Sequence, residues 1–123
     1  MRGFRTALLV AAACATLLLP NCKSVTTDKF DNGTYNGSVG QVLVTNGDDF
    51  SYTLGGQTFS GSYTISGNAV TFNTTKLNGQ VTGLNQRTTF DFTSTSNSIT
   101  LTNMRDMENG GCGMAEDTFT KYA

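Results

Sequence analysis

Between positions 57 and 65 the chain alternates without a break. Phe59, Gly61, Tyr63 and Ile65 fall on one side and Thr58, Ser60, Ser62 and Thr64 on the other. A two-residue period sends successive side chains to opposite faces of a β-strand, one face buried and one wet. Ser66-Gly67-Asn68 supplies a tight turn, and Val70 and Phe72 then resume the apolar face against Thr71 and Asn73. The pattern predicts a β-hairpin over residues 57–73. The same period returns with Phe50, Tyr52 and Leu54, with Phe90 and Phe92 opposite Thr89, Asp91 and Thr93, and with Ile99 and Leu101 opposite Thr100 and Thr102. Turn residues at Asn46-Gly47-Asp48, Gly55-Gly56 and Ser96-Asn97 separate these runs. Helical periodicity is absent, apart from one short stretch near Met104.

The pattern predicts an all-β fold with about eight short strands, near residues 34–38, 41–45, 49–54, 57–65, 69–74, 87–95, 98–103 and 118–122. Nearly all are joined by hairpin-length turns. An up-and-down antiparallel meander of that size removes its exposed edges by closing into a barrel, with aromatic side chains inside. The alternative is a two-sheet β-sandwich. Sandwiches need longer crossovers, and only residues 76–86 and 103–117 offer them.

The N-terminal segment follows a different rule. Arg2 and Arg5 precede an apolar run over residues 7–19, which ends at Pro20-Asn21-Cys22. That is the layout of a secretory signal peptide over residues 1–21, too short for a comfortable membrane span. Residues 22–29 then read as a polar tether, and residues 30–123 as one domain, since about 100 residues bury a single core. From Cys22 onward six basic residues face nine acidic ones, a net charge of −3. A basic footprint for nucleic acid is therefore missing. The chain contains neither histidine nor tryptophan. The imidazole base of the common triads and the commonest zinc ligand go with histidine, so a non-enzymatic role is expected.

Of three cysteines, Cys14 lies inside the cleaved apolar run, which leaves Cys22 and Cys112. Two readings compete: one Cys22–Cys112 disulfide in an oxidising compartment, or a lipid-bearing Cys22 at the mature N-terminus. The segment Leu18-Leu19-Pro20-Asn21-Cys22-Lys23-Ser24 resembles the lipobox of bacterial lipoproteins, cut just before a cysteine that is then diacylated. Ala11-Ala12-Ala13-Cys14 is a rival, but it leaves Leu17-Leu18-Leu19 unexplained. Further on, Gly33-Thr34-Tyr35, Phe50-Ser51-Tyr52 and the run from Gly61-Ser62-Tyr63 to Thr71-Phe72 resemble the small lipocalin-like domains of bacterial lipoproteins, with Tyr35 where the lipocalin Gly-x-Trp motif has tryptophan. This resemblance implies a lipid-anchored protein of the bacterial cell envelope, at the outer membrane or cell surface. It also implies a barrel that holds a small apolar ligand or meets a macromolecular partner through its loops, as envelope inhibitors and adhesins do. The candidate interior residues are Phe50, Tyr52, Phe59, Tyr63, Phe72, Phe90 and Phe92.

The window from Asn103 to Asp117 holds every methionine after the initiator, with Cys112 among them. Met104, Met107, Cys112 and Met114 are soft donors of the kind that select Cu(I), and some lipocalin-like envelope lipoproteins take part in copper sensing. The competing reading has Met104 and Met107, three apart, on one short helical turn that plugs a barrel mouth. Asp48-Asp49 and the scatter Asp106, Glu108, Glu116 and Asp117 lack the spacing of a calcium loop. No cofactor is implied. The triplets beginning at Asn32, Asn36 and Asn73 fit a glycosylation acceptor, a pattern that serine- and threonine-rich strands produce by chance.

Overall fold

The alternating runs form eight antiparallel strands: β1 Gly33–Asn36, β2 Val42–Asn46, β3 Asp49–Leu54, β4 Gln57–Ser66, β5 Ala69–Leu77, β6 Gln80–Ser94, β7 Ser98–Glu108 and β8 Asp117–Lys121. The structure is a computed structural model that describes residues 28–122. The expected signal peptide, Cys22 and the expected tether as far as residue 27 lie outside the described residues. Each strand pairs with its sequence neighbours, and β1 also pairs with β8, with Tyr35 opposite Lys121 and Asn36 opposite Thr120. The Tyr122 N–H donates to the Thr34 carbonyl at 3.0 Å across the same seam. This closure makes the fold a barrel and excludes the sandwich, because no sheet edge remains on which a second sheet would begin.

Three strands run further than the alternation predicts. Residues 76–86 are not a crossover: β5 continues to Leu77, Asn78-Gly79 makes the turn with both residues at positive φ, and β6 begins at Gln80. Nor do Met104 and Met107 form a helical turn, since β7 extends to Glu108. Two bulges explain the misreading. Between Asp91↔Thr102 and Thr89↔Arg105, and again between Thr89↔Arg105 and Arg87↔Glu108, β7 sets two residues against one on β6. Asn103 and Asp106 take positive φ at these points, a conformation that their short polar side chains tolerate. Each bulge breaks the two-residue period, and the resulting three-residue spacing mimics a helix.

The inward faces meet in one aromatic core. Phe72 on β5 is its hub, with ring centroids 5.0 Å from Phe50, 5.9 Å from Tyr63 and 6.0 Å from Phe90. Tyr52 lies 6.4 Å from Phe59 and 6.2 Å from Phe119. Tyr35, Leu43, Val70, Ile99 and Leu101 fill the gaps between rings and are fully buried. Leu54 departs from the inward set: β3 ends there at the Gly55-Gly56 turn, and its side chain is exposed at the rim.

The strand ladder satisfies the barrel wall but leaves both ends to be covered. At the proximal mouth, where the described chain enters, residues 28–32 cross the opening and Phe30 drops inside. At the distal mouth the β7–β8 connection folds back, and Cys112 and Met114 are buried beneath it. A Cβ on Gly113, at φ +93°, would sit 2.7 Å from the Phe59 ring, so the backbone there lies directly on the core.

Candidate functional site

The barrel interior gathers all seven aromatic residues predicted to line it. Phe50, Tyr52, Tyr63, Phe72 and Phe90 are buried, and Phe59 and Phe92 pack against them half-buried. They pack against one another, and Phe72 alone meets the rings of Phe30, Phe50, Tyr63 and Phe90. The recesses described lie outside, along the outer wall of β4. One of about 370 Å³ is bounded by Asp49, Ser60, Ser62 and Lys76, and one of about 320 Å³ by Asp28, Asp48, Ser62 and Thr64. Sequence reasoning placed Phe30 at the start of the domain without a role. It is the ring that completes the interior.

The four sulfur residues divide into two pairs. Met104 and Met107 stand on β7 and are 39% and 57% exposed, while Met114 and Cys112 belong to the core. Cys112 is fixed at both backbone atoms: its N–H donates to Thr88 Oγ1 at 2.9 Å, and its carbonyl accepts from Thr74 Oγ1 at 2.7 Å. Burial pushes the Cys112 thiol up, against weaker opposing contacts from the Met114 N–H and the Thr88 hydroxyl. A protonated, enclosed thiol is a poor nucleophile and a poor metal ligand. Among the described residues no group of three or more acidic, cysteine or histidine side chains is placed to hold a metal ion.

No protein family, curated protein or solved structure matches this chain.

The distal end is where polar and apolar surface are both organised. Asp117, at the start of β8, gathers the β1–β2 loop: its Oδ2 accepts from the Ser38 N–H and hydroxyl at 2.9 Å each and from Gln41 Nε2 at 2.6 Å. Partial burial works to raise this carboxyl, but the bonds from Ser38, Thr118 and Gln41 outweigh it and hold the group below its ordinary range. On the outer wall Asp91 accepts from Asn103 at 2.9 Å and pairs with Arg105 at 2.8 Å, and these contacts, Asn103 first, lower its carboxyl too. The Asp91 network ties down the bulged stretch of β7, and the Asp117 network holds the β1–β2 loop.

Around them the distal rim exposes apolar side chains from different loops and strands. Val39 of the β1–β2 loop is 73% exposed and Val81 on β6 is 74% exposed; Leu54, Leu84, Met104 and Met107 are exposed as well. At the proximal end the exposed surface is mainly acidic, with Asp28, Asp31, Asp48 and Asp49 around Lys29, and Tyr122 the large apolar exception. Lys29 pairs with Asp48 at 3.2 Å. Carboxylates therefore stand at both ends, Asp106, Glu108, Glu116 and Asp117 being distal, while the exposed large apolar side chains other than Tyr122 lie away from the chain's entry.

Proposed function

We propose that this is an exported, lipid-anchored, non-catalytic binding protein of the bacterial cell envelope, whose solid barrel presents its distal rim to a protein partner. The observation that carries this reading is the position of the exposed apolar side chains Val39, Leu54, Val81, Leu84 and Met107, on the end away from the chain's entry. Isolated exposed apolar residues need no explanation, but a rim of them drawn from one loop and three strands is the pattern of an interaction surface. A chain anchored at Cys22 through a short tether would leave that rim facing outward. The aromatic packing favours a partner over an interior ligand, since the resting barrel is filled with its own rings.

Lipidation of Cys22 is favoured over a bridge to Cys112. Cys112 is 0% exposed and lies within the core, so a disulfide would have to extract it from beneath the distal cap. Intact-mass measurement on protein from the native host distinguishes the two. A diacylglycerol-sized increment on a chain beginning at Cys22 supports the anchor, and a loss of two hydrogens with no lipid rejects it. For the partner, a photo-crosslinker is placed in the native host at Val81 or Met107, and in a second strain at Ser96. A discrete adduct at the distal positions and none at Ser96 supports the reading. Equal adducts at both ends, or none at either, reject it.

A further inference from the structure

Among the described residues, every aromatic side chain of the interior except Phe30 is carried by a barrel strand. Phe30 arrives on residues 28–32, which belong to no strand. Its ring stacks on Tyr63 at 5.2 Å and 24°, meets Phe92 edge-on at 5.2 Å and 86°, and has Phe72 behind it at 6.5 Å. These are the offset and perpendicular arrangements that any aromatic ring would prefer in that slot.

Among the described residues, the segment that delivers the ring is held by four hydrogen bonds, none of them in the strand ladder. The Phe30 N–H donates to the Tyr63 hydroxyl at 3.1 Å. The hydroxyls of Tyr35 and Thr45 donate to the Asp31 carbonyl at 2.6 and 2.7 Å, and Asn32 Oδ1 accepts from the Gly47 N–H at 2.7 Å. The Lys29–Asp48 pair is exposed on both sides and contributes little. A segment tied in this way opens more easily than the strands behind it. When it leaves, the Tyr63 hydroxyl still donates to the Gly47 carbonyl at 2.7 Å but loses the donor it accepted from.

We propose that Phe30 is a displaceable plug, and that the slot between Tyr63, Phe72 and Phe92 is a binding site for a small uncharged aromatic compound bearing one N–H or O–H donor, of the indole or phenol class. The ring replaces that of Phe30, and the donor replaces the Phe30 N–H on the Tyr63 hydroxyl. Binding frees residues 28–32 and lengthens the linker to Cys22 by up to about 17 Å, at about 3.4 Å per extended residue. Only this last consequence rests on the lipid anchor.

The test uses the mature chain with indole as the probe and reads both affinity and amide exchange. In the wild-type protein, saturating indole accelerates exchange of the Phe30 amide while perturbing the Tyr63 and Phe92 resonances. Phe30→Ala binds indole at least about tenfold more tightly, because no plug competes for the slot. Asn32→Ala loosens the segment without touching the slot and falls between the two. An unchanged Phe30 exchange rate in wild-type protein at saturating indole overturns the proposal. So does an Asn32→Ala variant whose Phe30 amide exchanges faster while its indole affinity stays at the wild-type value. If Phe30→Ala does not fold, the wild-type and Asn32→Ala measurements decide.

Discussion

At the proximal mouth a single ring, Phe30, is carried in by a segment outside the barrel wall, whereas the distal mouth is covered by the loop between β7 and β8, continuous with strands at both its ends. Among the described residues, the proximal cover is held by four hydrogen bonds and one exposed ion pair. The distal cover is anchored through Thr74 and Thr88 and pressed onto Phe59 at a glycine that tolerates no side chain. A closed ladder satisfies the backbone of the wall but shields nothing at its ends, so each end needs its own apolar cover. Covers built so differently are not equally removable. The proximal one can leave without disturbing a strand, and the distal one cannot.

The largest effect belongs to the hub of the aromatic core, on which the Phe30 ring packs. Phe72→Ala should cost about 3–5 kcal/mol in denaturant unfolding, because it empties the hub of the aromatic core. A loss below about 1 kcal/mol would mean that the interior repacks freely. Next comes the distal cover alone. Gly113→Ala should cost about 1–3 kcal/mol through its positive φ and the collision with Phe59, and should speed alkylation of Cys112 while leaving amide exchange at Phe30 unchanged. If exchange at both mouths rises together, the covers are not independent.

Acid should distinguish the two covers next, while alkali should reach both. Asp117 and Asp91 have lowered carboxyls in the folded protein, so their contribution is complete above the unfolded value of about 3.9 and is lost as pH falls through the folded value. Asp117 holds the distal β1–β2 loop and Asp91 holds the β6–β7 wall towards its proximal end, so acid below about pH 4 should loosen these two places before residues 28–32. Burial raises the hydroxyls of Tyr35 and Tyr63, and the bond to Asp48 raises Lys29. What these groups contribute is complete below their unfolded values of about 10 and is lost as pH rises through the folded ones. Alkali should accordingly release the proximal segment, whose Asp31 carbonyl depends on the Tyr35 proton, and should also reach the distal cover, where burial raises the Cys112 thiol and the Tyr52 hydroxyl. Amide exchange at pH 3.5 and at pH 10.5 checks the order. The smallest effect is expected at the exposed rim: Val81→Ser with Leu84→Ser should change stability by no more than about 0.5 kcal/mol while abolishing distal crosslinks.

How much of this was legible in the chain differs from strand to strand. The hairpin of β4 and β5 could be read almost whole, because Phe59, Tyr63, Val70 and Phe72 alternate with hydroxyl residues and the Ser66-Gly67-Asn68 turn is explicit. The far half of β7 could not, because the bulges at Asn103 and Asp106 disrupt the very period from which a strand is recognised. The interior rings were named in advance, yet Phe30 was missed as their completion. Nothing in a lone phenylalanine between Lys29 and Asp31 marks it as buried, and its partner Tyr63 lies 33 residues away. Likewise the spacing of Met104 and Met107 could not reveal that they face outward while Met114 and Cys112 face inward.

The sequence by itself determined the all-β class, the strand count, the turns and the aromatic character of the inside, because alternation and turn chemistry act between residues a few positions apart. Tertiary structure alone decided that the barrel closes through β1 and β8, that each mouth has its own cover, and that exposed apolar residues gather at the end away from the chain's entry. Those features depend on which distant segments come to lie opposite one another. That pairing is set by the summed packing of the core, not by any local run of residues.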